Sequence, residues 1–230
     1  VADLRIKRNI AAVSRGTSDG PDEQMPWRGT RSGCAITADW LMGLALEGRC
    51  FGLNGAIGAT ADDLGDTYTN TKPDLYVAVP AGTTIIPVYI EVCMEDTATA
   101  AASYVFAAAS EVCDTSAGGT AGVIYNMRTD APIKSMCTGT KTAATSTNHA
   151  TSGKNFVEFW RGYAGYADDW FNSSAGFTNA LVNKTSWCIG DALVPPVIVG
   201  AGSLSIFASF TAGTGYITVI WAELPSNTIV

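Results

Sequence analysis

Three carboxylates crowd one turn at Asp62-Asp63-Leu64-Gly65-Asp66, an arrangement that offers a hard cation several oxygens in a flexible loop. The full twelve-residue calcium-loop pattern is missing, so an ordinary acidic turn is the default and no metal is assigned. A second acidic pair, Asp168-Asp169, could act as glycosidase acid and base with Glu158 or Glu91, provided two carboxyls face each other across a cleft. Spacing along the chain does not fix that. The single histidine, His149, lies in the polar run Ser146-Thr147-Asn148-His149-Ala150-Thr151-Ser152. A catalytic triad needs its imidazole held between a nucleophile and an acid, and nothing in these flanks provides such support. Nucleophile-elbow, zinc-protease and phosphate-loop motifs are absent. These residues point to a protein that is not an enzyme and carries no cofactor.

The sharper chemistry is aromatic. Phe156, Phe159, Trp160, Tyr163, Tyr166, Trp170, Phe171 and Phe177 share one stretch with Arg161, Asp168 and Asp169. Rings stack on sugar faces while the charged groups bind hydroxyls, so Trp160, Tyr163, Tyr166 and Trp170 are candidate glycan-binding residues, expected to be exposed on one face. The commoner use of such residues is core and subunit contact, where they bury large areas at low entropic cost.

Charged residues make up only 15% of the 230-residue chain, well under the roughly 25% of an ordinary soluble domain. Much of the surface must be small and neutral, or hidden in contacts. A net charge of −7 argues against nucleic acid as a main partner, because phosphate binding needs clustered Lys and Arg. Six cysteines, Cys34, Cys50, Cys93, Cys113, Cys137 and Cys188, include no CxxC pair and no Cys/His cluster, so zinc is not expected. Cys93 and Cys188 follow apolar residues in strand-like runs, which favours reduced, buried thiols. The charged start Val1-Ala2-Asp3-Leu4-Arg5-Ile6-Lys7-Arg8 lacks the apolar centre of a secretory signal, and no apolar run reaches the ~20 residues of a membrane span.

The elements that must position these residues are mostly strands. Residues 1–31 concentrate charge, with turn-like Ser14–Pro21 and a break at Pro26-Trp27, and read as an arm whose Leu4 and Ile6 alternate with charged neighbours as in an edge strand. Residues 32–230 read as an antiparallel β-sandwich. Ala38–Glu47 fits a short helix or a strand, Gly48–Leu64 and Thr138–Gly153 read as loops, and strands are expected at Asp74–Pro80, Thr83–Cys93, Ser103–Ser110, Ala121–Arg128, Asn155–Trp160 and Leu193–Val199. In the closing pair, Leu204, Ile206, Ala208 and Phe210 alternate with Ser203, Ser205 and Ser209, and Phe207 interrupts the polar face. Tyr216, Ile220 and Leu224 alternate with Ile217, Val219 and Trp221, so this strand is apolar on both sides. Phe207, Tyr216, Ile220 and Leu224 are therefore candidate subunit-interface residues.

The run Lys72-Pro73-Asp74-Leu75-Tyr76-Val77-Ala78-Val79-Pro80-Ala81-Gly82-Thr83-Thr84-Ile85-Ile86-Pro87-Val88, together with Gly202-Ser203-Leu204 and Ile220-Trp221-Ala222-Glu223-Leu224-Pro225, resembles virion structural proteins of bacteriophages. It looks most like the jelly-roll cement or decoration proteins that sit as trimers on capsids. The likeness covers the strands from Lys72 to Val92 and from Val194 to Pro225. It implies a homotrimeric jelly-roll bound to the major capsid protein on the virion surface, assembled in the host cytoplasm. The expected capsid contact is the arm, through Leu4, Arg5, Ile6, Lys7, Arg8, Trp27 and Arg28. A glycan- or receptor-binding module on the virion surface and a main capsid-building jelly roll are the alternatives.

Overall fold

The computed structural model describes residues 5–7, 24–26, 39–56, 60–64, 68–97, 104–145, 154–163, 165–166, 181–182, 184–209 and 213–226. Two short strands, β1 (Arg5–Lys7) and β2 (Gln24–Pro26), precede helix α1 (Trp40–Leu46). The first half continues with β3 (Cys50–Asn54), β4 (Asp62–Leu64), β5 (Leu75–Val79), β6 (Thr83–Thr97) and β7 (Tyr104–Ser110). Then come β8 (Gly118–Gly122), β9 (Ile124–Asn126), β10 (Thr138–Ala144), β11 (Phe156–Tyr163), β12 (Gly165–Tyr166) and β13 (Leu181–Val182). The last strands are β14 (Lys184–Cys188), β15 (Ile198–Val199), β16 (Gly202–Ser209) and β17 (Gly213–Pro225).

These strands make a jelly-roll-like antiparallel sandwich. One sheet has the order β11-β7-β16-β5-β10-β8 and the other β14-β6-β17-β3-β9, with β15 pairing with β6 and β4 pairing with β17. Late strands insert between early ones: β16 lies between β5 and β7, and β17 between β3 and β6. The inner faces supply one core that includes Phe51, Leu53, Val77, Ile90, Val92, Leu204, Ile206, Ile217, Val219 and Trp221. Side chains alternate across a strand, so the period-two apolar sets of β16 and β17 are what the two sheets interlock. The pairs β1–β2 and β12–β13 form separate two-stranded sheets.

The segment left open between helix and strand is α1. Asp39 caps it by accepting from the Leu41 N–H at 3.4 Å. Leu41, Leu44 and Ala45 share one face and pack on Cys50, Val88 and Ala222 across the outer side of the second sheet, the i, i+3, i+4 spacing a strand cannot provide.

Two segments expected to be loops are strands. β3 lies inside Gly48–Leu64, and β10 opens Thr138–Gly153. Their glycines serve close approach and not turns. A Cβ on Gly52 would sit 2.6 Å from the Tyr125 ring, and one on Gly139 would meet Leu53 Cδ2 at 2.7 Å. Conversely, the strand expected over Leu193–Val199 shrinks to Ile198–Val199, because Pro195 and Pro196 have no N–H to give a ladder. The expected strand Ala121–Arg128 is divided between β8 and β9, which belong to different sheets.

Candidate interaction surfaces

β11 is the edge strand that carries the aromatic stretch, and its register with β7 shifts between Glu158 and Trp160. That bulge decides which way each side chain points. Phe159 and Trp160 both pack against the core, with Phe159 edge-on to Trp187 at 5.2 Å. Past the bulge, Arg161 pairs with Phe106 and Tyr163 with Tyr104. Trp160 and Tyr163 therefore do not share an exposed face, which corrects the expected glycan-binding set. The backbone of Tyr166 pairs with Leu181; Trp170 lies outside the described residues.

The outer face of this sheet gathers a different group. Glu158 and Arg161, three positions apart, would point to opposite sides of a regular strand. The bulge brings them together: Arg161 Nε donates to Glu158 Oε1 at 2.6 Å and Nη2 donates to Oε2 at 2.7 Å. The guanidinium lies 5.7 Å from the Tyr104 ring centre and 5.2 Å from that of Phe106. Tyr104 and Tyr163 meet edge to face at 5.3 Å. Tyr68 approaches Phe106 at 5.1 Å and Phe207 at 5.4 Å. Burial and the Glu158 charge push the Tyr68 phenol up, partly offset by Arg161. Sequence reasoning missed Tyr68 and Tyr104, which lie far from the aromatic stretch: Tyr104 reaches it through the pairing of β7 with β11, and Tyr68 packs on Phe106 and Phe207 from the segment before β5.

Phe207 is corrected too. It does lie on the outer face with Ser203 and Ser205, but it is only 1% exposed. Phe106 stacks on it at 4.9 Å, with Tyr68 and Phe156 beside it. Its own chain covers it, so it has no surface left for a neighbouring subunit. Tyr216, Ile220 and Leu224 are half-buried on the outer side of β17, and Ile220 packs against the cluster under α1. Nearby on that face, Glu91 accepts from the Tyr89 hydroxyl and pairs with Lys184. Those two partners, Lys184 first, hold the Glu91 carboxyl below its ordinary range despite some burial.

The acidic candidates do not converge. Glu91 points outward from one sheet and Glu158 from the other, so they cannot face each other across a cleft. Asp62 and Asp63 belong to β4 and not to a turn, and Asp62 pairs with Lys141 Nζ at 2.9 Å. Asp66, His149, Asp168 and Asp169 lie outside the described residues. The thiols divide: Cys50 and Cys137 are buried, Cys93 and Cys113 half-buried, and Cys188 is exposed. The expectation of buried thiols therefore fails at Cys188, which pairs with Tyr89 on the outer side of the edge strand β14.

A surface unmarked by the sequence reading lies where β15, β7 and the start of β11 meet. A cleft of about 320 Å³ is lined by Ala109, Ser110, Glu111, Asn155, Val157, Val197, Ile198 and Val199. Immediately before it in the chain, Leu193 is fully exposed (100%) and Val194 nearly so (81%). The Pro195-Pro196 pair was the available signal, since it stops the ladder and leaves the apolar residues before it unpaired. In the arm, Arg5, Ile6 and Lys7 pair with Pro26, Met25 and Gln24; Leu4, Arg8, Trp27 and Arg28 lie outside the described residues.

No family model matches the chain, no curated protein matches it, and no solved structure matches it.

Proposed function

We propose that this chain is a virion structural protein that acts by assembly: copies join as a homotrimer, bind a capsid shell through its major capsid protein, and stabilise or decorate that shell. The observation that carries the reading is the projecting Leu193-Val194 beside a cleft that carries the half-exposed Val157, Val197 and Val199. Together these residues gather exposed apolar side chains into one patch, which a neighbouring copy can cover. The projection and the cleft are different parts of that patch, and contacts between unlike surfaces close into rings when the rotation allows. A threefold ring is such a closure. The sparse charge of the chain supports the same reading, because less of its surface is committed to water. The function follows from mass action: a protein that binds only the assembled lattice adds its binding free energy to that state.

Light scattering tests the self-association. We expect a mass near three times the 24.0 kDa of one chain, reduced to that of a single chain by Leu193→Asp combined with Val194→Asp. A wild-type protein that stays at 24.0 kDa and fails to co-sediment with purified phage capsid shells would overturn the proposal.

A further inference from the structure

The outer face of the six-stranded sheet carries an aromatic group whose exposed part the core does not require. Tyr68, Tyr104 and Tyr163 are 40%, 42% and 39% exposed, whereas Tyr76 on the same face is fully covered. The stacked pair Phe106–Phe207 is closed off by Tyr68 and Phe156, so the Tyr104–Tyr163 corner, at the far end of the β7–β11 pairing, is not what buries it. We propose that Tyr104 and Tyr163, with the Arg161–Glu158 pair beside them, form a binding site for a neutral pyranose ring of a glycan. This goes beyond the assembly role and does not depend on it.

The chemistry follows from the geometry. The two rings stand at 89° to each other, an open corner in which the C–H face of a sugar stacks on one ring while its rim meets the other. Next to that corner, the guanidinium and the carboxylate lie side by side in a doubly bonded pair. Nε and Nη2 are engaged with Glu158, and Nη1 makes no hydrogen bond among the described residues. One adjacent sugar hydroxyl can accept from Nη1 while its neighbour donates to a carboxylate lone pair, the complementarity that a vicinal diol requires. Because Glu158 fixes the guanidinium and the Phe106 and Tyr104 rings lie against it, little side-chain entropy remains to be lost on binding. Charge selects the sugar class. Arg161 is already neutralised by Glu158, and the chain carries −7 overall, so an acidic sugar would find repulsion where a neutral hexose finds hydrogen bonds.

Saturation-transfer NMR and calorimetry on the full chain test this with lactose, maltotriose, cellotriose and mannotriose as neutral probes, and sialyllactose and trigalacturonate as acidic ones. We expect a neutral probe to bind. Tyr104→Ala and Tyr163→Ala should each weaken it by roughly tenfold, with Tyr104→Phe and Tyr163→Phe retaining binding. Arg161→Lys should also weaken it, because an ammonium cannot reproduce the planar fork. Circular dichroism and light-scattering mass should be unchanged in the tyrosine variants. The inference falls if no neutral probe binds the folded wild type, if binding survives both alanine variants, or if the acidic probes bind more tightly. It also falls if Tyr104→Ala or Tyr163→Ala lowers the oligomer mass, which would make the corner a subunit contact.

Discussion

The carboxylate of Glu223 is buried at one end of the core, where it accepts from Ser135 Oγ at 2.6 Å and from the Met136 N–H at 2.9 Å. Ser135 Oγ in turn accepts from the Cys137 N–H at 3.0 Å, so one acid holds the loop that feeds β10. Glu223→Ala leaves the part-buried Ser135 hydroxyl and Met136 N–H without their acceptor, and we expect a loss of about 1–2 kcal/mol in urea unfolding, with Glu223→Gln retaining part of it. Its neighbour Cys137 shows the opposite effect of burial. Desolvation, reinforced by the Glu223 charge, pushes the Cys137 thiol far above its ordinary value of 9.0. The unfolded chain therefore releases that proton first, so it binds fewer protons than the folded one once pH passes 9.0. Stability is full below that pH and should fall by about 1.4 kcal/mol per pH unit above it for this group. Unfolding measured from pH 8 to 10.5 should show the decline, shallower in Cys137→Ala; equal slopes would remove Cys137 as its source. In the folded protein at pH 8, a thiol reagent should modify Cys188 while Cys50 and Cys137 react only on unfolding.

Elements behave as their local sequence directs until a bulge or a close approach intervenes. The alternation in β16 and β17 was readable because each has one face in the common core. β11 was misread because one extra residue sends Phe159 and Trp160 the same way and sets Glu158 beside Arg161. No residue type in that stretch marks the shift; it follows from matching β11 to Ala107 and Ala108, which lie about fifty positions earlier. The pairing of β6 with β17 depends on a similar accommodation at Gly215, where the register shifts and a Cβ would lie 2.5 Å from the Cys93 carbonyl oxygen. Backbone cannot swing aside as a side-chain tip can. Gly215→Ala should cost about 2 kcal/mol or more, measured as a lower midpoint in denaturant with an unchanged slope. Glycines at 52 and 139 were mistaken for loop formers for the same reason: their neighbours Tyr125 and Leu53 come from other strands.

At the scale of the molecule, the proposed assembly sets apolar attraction between copies against their shared negative charge. With a net charge of −7 per chain, like-charged copies repel over a screening length of about 10 Å at 0.1 M salt. Raising sodium chloride from about 0.02 to 0.3 M should therefore raise the trimer fraction at fixed protein concentration. Analytical ultracentrifugation reads this directly, and a trimer that dissociates as salt rises would indicate contacts made by ion pairs and not by Leu193 and Val194. The sequence alone determined that this is a β-sandwich with reduced surface charge, because period-two patterning and composition are local properties that burial acts on wherever the strand ends up. Only the tertiary structure decided which aromatic residues face out, that Phe207 is covered by its own chain, and that a bulge joins Arg161 to Glu158. Those outcomes depend on strand register and on neighbours distant in the chain, and a pattern confined to one segment carries no record of either.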